Sequence, residues 1–590
     1  MNSNHLSQQH SFAQQAIFTL KVHLLSLRRA LDDYVLKPVQ QYAKATRLNT
    51  APVLAESRTA LWNAADTPDN WLLTAGKVHN LRLAAKALHG IEIASNVVFS
   101  FWAHVPKPIA AHGYVDGREI REGCLVPSAG GGLCQLSNAL FDAARRAGLQ
   151  VIERHRHTQI VPGSLAEQDR DATVKWRHID LRLAHTQAWR IEVELSATEL
   201  ILRIRANNAA PSWPSSPITP ITPIKRLSPI APITPINDCY SCGENSCAQH
   251  PTRRLPSLPK HATQAWLLTE AWPEFDQLLK TQGQISDSLF LPWTWRWLAR
   301  PAYRWKNISP AAHRYGAELI TLRRSLALRN LPAQGSALQS TLLKWDAALA
   351  AAYARRLPAH CTHLIIAQTL LPHLWMLGVL GGRTFDVLMT RSPLKSLQQS
   401  LDQALENHSD SLTLGDYRAP SALVEAEQKA LQAAGNLYTP HTALLSQIGT
   451  TGQLLPWCSP AVNPSVSRGT ALLFPASALA RKGVYELAQA LQAIDCTVRV
   501  LGRAQEKNNC WGMVKTEYCP PGDPLQGVGL VVLPAWVEHQ PRLLLRALAQ
   551  AIPVIATPAC GLPPQTGLTL IDCGDVPHLR KAIISNTALA

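Results

Sequence analysis

Short apolar runs alternate with amphipathic helical patterns through the second half of the chain. The runs typical of buried strands are AWLLTE (265–270), HLIIAQ (363–368), FDVLMT (385–390) and LLPW (454–457), then ALLFPA (471–476), VRVLG (498–502), VGLVVLPAW (528–536) and PVIAT (553–557). Helical patterns lie between them, at 343–356, 422–434, 482–494 and 541–552. Because this alternation is typical of parallel sheets covered by helices, it predicts an α/β fold with two Rossmann-like domains, at 262–460 and 461–590.

The first third of the chain, a predicted α/β domain over 1–210, contains the glycine-rich segment SAGGGLCQLSNALFDAARRAG at 128–148. Three glycines precede a pattern in which leucine and alanine recur on one helical face, and Gly148 closes it. This pattern puts Cys134 in the first turn of a helix. The free N–H groups and the dipole of that turn favour a thiolate.

Two polar segments follow the predicted Cys134 helix. QVIERHRH (150–157) is a predicted strand that points Glu153, His155 and His157 to one face, and Asp171 begins a second predicted strand, DATVKW. The order Cys134, histidine, Asp171 could supply a nucleophile, a base and an orienting carboxylate. Glu153 and the two histidines could instead bind a divalent metal, and Cys134 could be a buried structural thiol.

Residues 211–236 carry a proline about every third position, which favours an extended linker. A cysteine-rich segment follows at 237–261. Its spacing predicts a zinc site, or an iron–sulfur cluster, and the alternative is a loop of free thiols. The candidate ligands are Cys239, Cys242, Cys247 and His250.

The segment 290–306, FLPWTWRWLARPAYRWK, mixes four tryptophans with four cations. This mixture predicts peripheral contact with a membrane surface or with an anionic lipid-linked substrate. The alternative is a core helix whose arginines extend to solvent.

Composition limits the class of protein. Of 590 residues, 46% are hydrophobic and 17% charged, so the chain is neither mainly disordered nor a coiled coil. The net charge of +16 is spread along the chain, which disfavours a nucleic-acid partner, although 251–330 holds 12 basic and 5 acidic residues. Twelve scattered cysteines, the lack of a signal-peptide pattern and polar breaks in the apolar stretch 364–382 predict a cytoplasmic protein, at most peripheral to a membrane.

The first third contains several ordered motifs, KVHNLRLAAKALHG (77–90), FSFW (99–102), GYVDGREIREG (113–123), GGGLCQLSN (130–138), ERHRH (153–157) and DATVKW (171–176). Together they resemble the VanW family, which is named for an accessory protein of B-type vancomycin-resistance clusters. The resemblance covers about 20–205. Cys134, His155, His157 and Asp171 match the family's motif positions.

The C-terminal half resembles retaining GT-B glycosyltransferases, which implies a nucleotide-sugar donor. By motif position Lys482 would meet the donor diphosphate and Glu538 matches the first glutamate of the donor-binding motif. Arg546 stands in place of the second glutamate, and Ser477 in place of an upstream arginine.

The leading functional hypothesis is glycosyl transfer onto a cell-envelope-related glycan or glycolipid acceptor that the VanW-like domain recognises or modifies. A second hypothesis is a non-catalytic binding scaffold with a degenerate GT-B half. A third is a thiol hydrolase or acyltransferase centred on Cys134.

Overall fold

The computed structural model describes residues 39–207 and 263–586, with single residues between 20 and 31. Short gaps interrupt these ranges at 63–67, 122–123, 158–164, 177, 296–299, 310–311, 330, 333, 503–505 and 507–509. The predicted linker at 211–236 and the metal ligands Cys239, Cys242, Cys247 and His250 lie outside the described residues. The chain divides into two compact units, Met1–Lys260 with Pro358–Thr362 and Leu380–Arg383, and the remainder.

The first unit is built on antiparallel strands. These are β1 Val53–Ala60, β2 Glu92–Ile93, β3 Val98–Ser100, β4 Asp116–Arg121, β5 Cys124–Ala129, β6 Gln150–Glu153, β7 Arg182–Ala184, β8 Trp189–Leu195 and β9 Glu199–Ala206. Its described helices are α1 Pro68–Leu88, α2 Phe101–His104 and α3 Leu133–Arg146. A four-stranded sheet of order β1-β9-β8-β2 shares one hydrophobic core with α1 and α3, through side chains such as Leu202, Leu81 and Leu140.

The second unit contains two parallel sheets. The strands of the first are β10 Gln264–Leu267, β11 Ser288–Leu291, β12 His313–Gly316, β13 His363–Ala367, β14 Thr384–Leu388, β15 Leu437–Thr439 and β16 Gly452–Leu454. The strands of the second are β17 Ala471–Phe474, β18 Thr497–Val500, β19 Lys515–Tyr518, β20 Val528–Leu533, β21 Val554–Ala556 and β22 Leu568–Leu570. The sheet orders, β12-β11-β10-β13-β14-β15-β16 and β19-β18-β17-β20-β21-β22, are both the doubly wound order. The predicted Rossmann-like fold of this half is confirmed.

Helices connect these strands and cover the sheets. In the first Rossmann-like domain they are α4 Pro273–Gln282, α5 Glu318–Arg329, α6 Ser336–Arg356, α7 Leu371–Met376, α8 Leu394–Asn407, α9 Ser421–Ala433 and α10 Thr442–Ile448. In the second they are α11 Val484–Ala490, α12 Arg542–Ala549 and α13 Val576–Asn586.

The carboxyl ends of the strands in the two parallel sheets face each other. Glu274, which begins α4 after β10, accepts two hydrogen bonds of 2.7 Å from Arg542, which begins α12 after β20. His441 follows β15, and its Nε2 lies 2.8 Å from the carbonyl oxygen of His539, which follows β20. This facing of carboxyl edges is the GT-B arrangement.

Some predicted strands are wrong. Strand β6 ends at Glu153, so His155 and His157 lie beyond it and do not share a strand face with Glu153. Residues 171–174 are irregular, because the Thr173 N–H bonds the His155 carbonyl 2.8 Å away in place of a regular ladder. The predicted LLPW strand is instead β16, which ends at Leu454.

Two negative findings concern the described residues. Within them, no helix combines the length and apolar character needed to cross a bilayer. In the same part of the chain, no group of three or more histidine, cysteine, aspartate or glutamate side chains is arranged to hold a metal ion.

Candidate functional site

The start of α3 is fixed by close backbone packing. Gly132, the N-cap of α3, has φ +99°, a conformation that favours glycine. A Cβ on Gly131 would press into the backbone carbonyl of Gly117 in β4. The glycines therefore let the loop lie against the β4–β5 hairpin. This packing places Cys134 as the second residue of α3, in its first turn.

Asn80, buried on α1, braces the same loop, and the sequence argument did not select it. Its Nδ2 donates to the carbonyl oxygens of Val115 and Gly131, at 2.9 and 3.1 Å, and its Oδ1 accepts from the Val115 N–H at 3.0 Å. Little in the sequence marks Asn80, because α1 also carries other polar residues, Lys77, His79 and Arg82.

His157 connects the Cys134 thiol to Asp171. The His157 Nδ1 lies 2.9 Å from Asp171 Oδ2, and the His157 backbone N–H donates to the same oxygen at 2.7 Å. The Cys134 thiol and the His157 ring interact closely enough for each to shift the pKa of the other. We name Cys134, His157 and Asp171 the Cys–His–Asp cluster.

The sulfur has two further polar neighbours on the segment after Asp171. Cys134 Sγ lies 3.5 Å from Thr173 Oγ1 and 3.8 Å from the Val174 carbonyl oxygen. Helix α3 holds this segment through Asn138, whose Oδ1 accepts the Ala172 N–H at 2.8 Å. The side chain of Cys134 is half-buried.

The electrostatics around Cys134, His157 and Asp171 favour a thiolate–imidazolium pair. Burial alone raises the pKa of Cys134, but the hydrogen bond and charge of His157, with Val174 and Thr173, bring it below the usual thiol value. Burial alone lowers the pKa of His157, but its hydrogen bonds to Asp171 and Cys134 raise it to about 10. Burial alone raises the pKa of Asp171. The hydrogen bonds from the ring and the backbone N–H of His157, with the charges of His157 and Arg154, hold it below its usual value.

Other cysteines in the described part of the chain show the opposite shift. Burial raises the pKa of Cys458, Cys496, Cys510, Cys519, Cys560 and Cys573. For Cys560 the value reaches about 12. The thiol of Cys134 is therefore distinguished by its imidazole partner.

His155, the other histidine of the motif, lies apart from Cys134, His157 and Asp171. Its side chain is 48% exposed, and its Nε2 lies 3.4 Å from Glu153 Oε1. Because His157 pairs with Asp171 while His155 faces Glu153, the alternative of a metal site at Glu153, His155 and His157 lacks converging ligands.

In the second unit, Lys482 and Glu538 meet where the strand order of the second parallel sheet reverses. Lys482 follows β17 and Glu538 follows β20, and these neighbouring strands mark the switch point at which such folds bind ligands. The Lys482 Nζ donates to Glu538 Oε2 at 2.8 Å and to the Val537 carbonyl oxygen at 3.0 Å. Burial raises the pKa of Glu538, but the ammonium of Lys482 outweighs it and lowers the value to about 2.

Arg546, which stands at the second glutamate position, pairs with Asp523 at 2.6 Å. Asp523 therefore matches the charge that this arginine brings. Arg542, which the sequence argument did not select, lies over the rings of Trp272 and Trp457 while it binds Glu274. No local motif marks Arg542, because its partners are distant in the sequence.

Solved glycosyltransferase structures are similar to the second unit, at low scores. Sucrose-phosphate synthase from Thermosynechococcus elongatus has a TM-score of 0.35 and 14% identity, over 55% of this chain and 88% of that chain. A lipopolysaccharide outer core galactosyltransferase, WaaB, has a TM-score of 0.32 and 11% identity, over 55% and 90%. Anabaena HepE in complex with UDP and glucose has a TM-score of 0.32 and 12% identity, over 55% and 91%. The strand orders, and not these scores, define the fold.

Two curated proteins are similar to the first third. The chain is 41% identical over 104 residues to the uncharacterized protein YoaR of Bacillus subtilis. The aligned segment covers 18% of this chain and 34% of that protein. It is 33% identical over 172 residues to the vancomycin B-type resistance protein VanW of Enterococcus faecalis, over 28% and 62%. The chain thus spans less than two thirds of the length of either relative.

The family comparison matches the same part of the chain. Residues 76–206 match the family model described as VanW like protein. This range contains Cys134, His157 and Asp171, together with the glycine loop and Asn80. Residues 76–206 are therefore similar to the VanW family.

Proposed function

We propose that the VanW-like domain is a thiol-dependent acyltransferase or hydrolase in which Cys134 is the nucleophile. The observation that carries this proposal is the grouping of Cys134 with His157, whose Nδ1 lies 2.9 Å from Asp171 Oδ2 and whose ring shifts the pKa of the thiol downward. A cysteine at a helix start with an oriented imidazole is the arrangement that activates a thiol for covalent catalysis. Asp171 fixes the ring and stabilises its protonated form.

The proposed reaction has two steps. The Cys134 thiolate attacks a carbonyl carbon, a carbon–sulfur bond forms, and the bond to the leaving oxygen or nitrogen breaks as His157 gives that atom its proton. A second nucleophile, water or an amine, then gives a proton to His157 and attacks the thioester, which releases the thiolate. We propose that the backbone N–H of Cys134, at the start of α3, stabilises the developing negative charge, because the N–H groups of Leu133 and Gln135 already bond the carbonyl oxygens of Gly130 and Gly132.

An activated ester provides the test without knowledge of the natural substrate. With p-nitrophenyl acetate, the full chain is expected to release p-nitrophenol and to carry an acetyl thioester at Cys134, detected by mass spectrometry. Cys134→Ser and His157→Gln should abolish this labelling. His155→Gln is the matched control, because His155 does not contact Cys134 or Asp171. This variant should be labelled as the wild type is. Equal labelling of the other cysteines would contradict the proposal.

The second unit is proposed to bind the diphosphate of a nucleotide-sugar donor beside Lys482, for glycosyl transfer to an acceptor. The observation that favours it is the position of Lys482 at the switch point, followed directly by Gly483, the N-cap of α11. A diphosphate there competes with Glu538 for the ammonium, so binding should be weak. The names of the relatives, which concern vancomycin resistance and glycosyl transfer, support an envelope-related acceptor.

Calorimetric titration with UDP tests donor binding. Lys482→Ala should remove the heat of binding. The control is Lys515→Ala, because Lys515 is exposed and pairs with Asp495 on the same domain. Equal heats for both variants, or none for the wild type, would instead support a binding scaffold with a degenerate GT-B half.

A further inference from the structure

Helix α5, in the first Rossmann-like domain, presents leucines to solvent. Leu319, Leu322 and Leu326 are 73%, 47% and 49% exposed. At 3.6 residues per turn, these three positions lie within about 60° of one another on the helix surface. They form one apolar stripe, which we name the leucine stripe.

The opposite side of α5 faces the protein. Thr321 is buried, and its hydroxyl donates to the Pro292 carbonyl oxygen at 2.7 Å. Arg324 pairs with the buried Asp346 on α6 at 3.1 Å. The leucine stripe is therefore the outer face of a helix whose inner face is already packed.

Cations lie on both sides of the leucine stripe. Arg323 follows Leu322 directly, and Arg329 comes one turn after Leu326 and falls on the other side by helical spacing. Both arginines are exposed. An apolar stripe with flanking arginines is the pattern of helices that lie in the plane of a membrane interface.

A tryptophan adjoins the start of the same helix. The Thr294 N–H donates to Glu318 Oε1 at 3.0 Å, which ties the segment before α5 to its first turn. The next residue, Trp295, is 56% exposed. Trp305, by contrast, is in the core. Amphipathic indole rings favour the headgroup level of a bilayer.

The exposed charge of this region is almost entirely positive. Of the five acidic residues in 251–330, Glu274, Asp276 and Asp287 are buried and Glu318 binds Thr294, which leaves Glu270 exposed. The exposed cations include Arg300, Lys306, Arg314, Arg323 and Arg329. The exposed charges of this segment therefore favour anionic lipid headgroups over a second copy of the same segment.

We propose that the leucine stripe of α5, with its flanking arginines and Trp295, docks on an anionic membrane surface. The leucines enter the boundary between headgroups and acyl chains, and the arginines contact lipid phosphates. This proposal does not depend on the chemistry at Cys134 or on donor binding at Lys482.

Vesicle co-sedimentation of the full chain tests the proposal. The chain should bind phosphatidylcholine vesicles that contain phosphatidylglycerol, and should bind pure phosphatidylcholine at least about tenfold more weakly. A variant with Leu319→Ser, Leu322→Ser and Leu326→Ser should lose binding to the anionic vesicles by at least about tenfold. Arg323→Glu with Arg329→Glu should lose it as well.

The control variant carries Leu412→Ser and Leu454→Ser, which replace exposed leucines elsewhere in the second unit. It should bind as the wild type does, and Leu319→Ser alone gives a milder variant if the triple variant melts early. The proposal would be overturned if the wild type did not bind anionic vesicles. It would also be overturned if the control variant and the leucine-stripe variant bound them equally. A wild-type dimer that the triple variant converts to a monomer without any vesicle binding would overturn it as well.

Discussion

The Cys134 sulfur and the His157 ring stabilise each other's charged forms. Burial at this site would destabilise the thiolate or the imidazolium if either were alone. Burial opposes both the thiolate and the imidazolium, but His157 lowers the pKa of Cys134, and Asp171 together with Cys134 raises the pKa of His157. Asp171 adds a second anion next to the ring, and the Arg154 guanidinium, 3.2 Å from Asp171 Oδ1, offsets it. The protein itself therefore favours the charged forms of both groups.

Replacement of Asp171 tests how the imidazolium is maintained. Asp171→Asn keeps the shape but removes the charge, so the pKa of His157 should fall and the thiolate should lose its partner near neutral pH. We expect alkylation of Cys134 by iodoacetamide to slow by about tenfold or more, equivalent to about one pKa unit. The matched control is Asp169→Asn, since Asp169 binds Arg154 and Arg156 and not His157. If the two variants react equally, Asp171 does not orient the ring.

At the scale of elements, the glycine loop and α3 were predictable because each has a local signal. Glycines mark a close backbone approach, and the 3.6-residue pattern marks the helix that Cys134 begins. His157 was placed on the wrong kind of element, since strand periodicity through 150–157 gave no sign that the chain leaves β6 at Glu153. Strand β19, Lys515–Tyr518, is exposed throughout and has no apolar alternation to detect.

The glycine loop gives a prediction about the stability of the first unit. Gly131→Ala should destabilise it by about 1–3 kcal/mol, because the added methyl group meets the backbone of Gly117, which cannot move aside as a side chain can. Thermal melting of the full chain measures this. The control is Gly415→Ala, where a methyl group has open space and no melting change is expected. A normal melting temperature for Gly131→Ala would show that the loop is not tightly packed.

At the scale of the whole molecule, sequence patterns predicted two Rossmann-like domains but not the contacts that join them. The alternation of strands and helices along the sequence is sufficient to predict parallel sheets. It does not predict the contact of Glu274 with Arg542, because these residues are separated in sequence by more than half the length of the second unit. Arg542 spans the carboxyl edges of both sheets by binding Glu274 and lying over Trp272 and Trp457. The crevice is therefore bridged at this position.

Removal of this bridge should uncouple the two Rossmann-like domains. Arg542→Ala leaves the buried carboxylate of Glu274 without its cation, and we expect a loss of about 3 kcal/mol or more in unfolding free energy of the second unit. Arg546→Ala is the control, because its pair with Asp523 is partly exposed and should contribute at most about 1 kcal/mol. Denaturant unfolding of both variants decides. Equal losses would mean that the bridge does not hold the domains together.

We propose that Cys134 and His157 form an ion pair, and the pH dependence of Cys134 alkylation tests this central proposal most directly. In the wild-type full chain, peptide mass spectrometry should show fast iodoacetamide labelling that persists well below the usual thiol pKa, since His157 lowers the pKa of Cys134. In His157→Gln, burial without an imidazolium should move the labelling midpoint above that of a free cysteine. His155→Gln should match the wild type. Identical midpoints for wild type and His157→Gln would contradict the account.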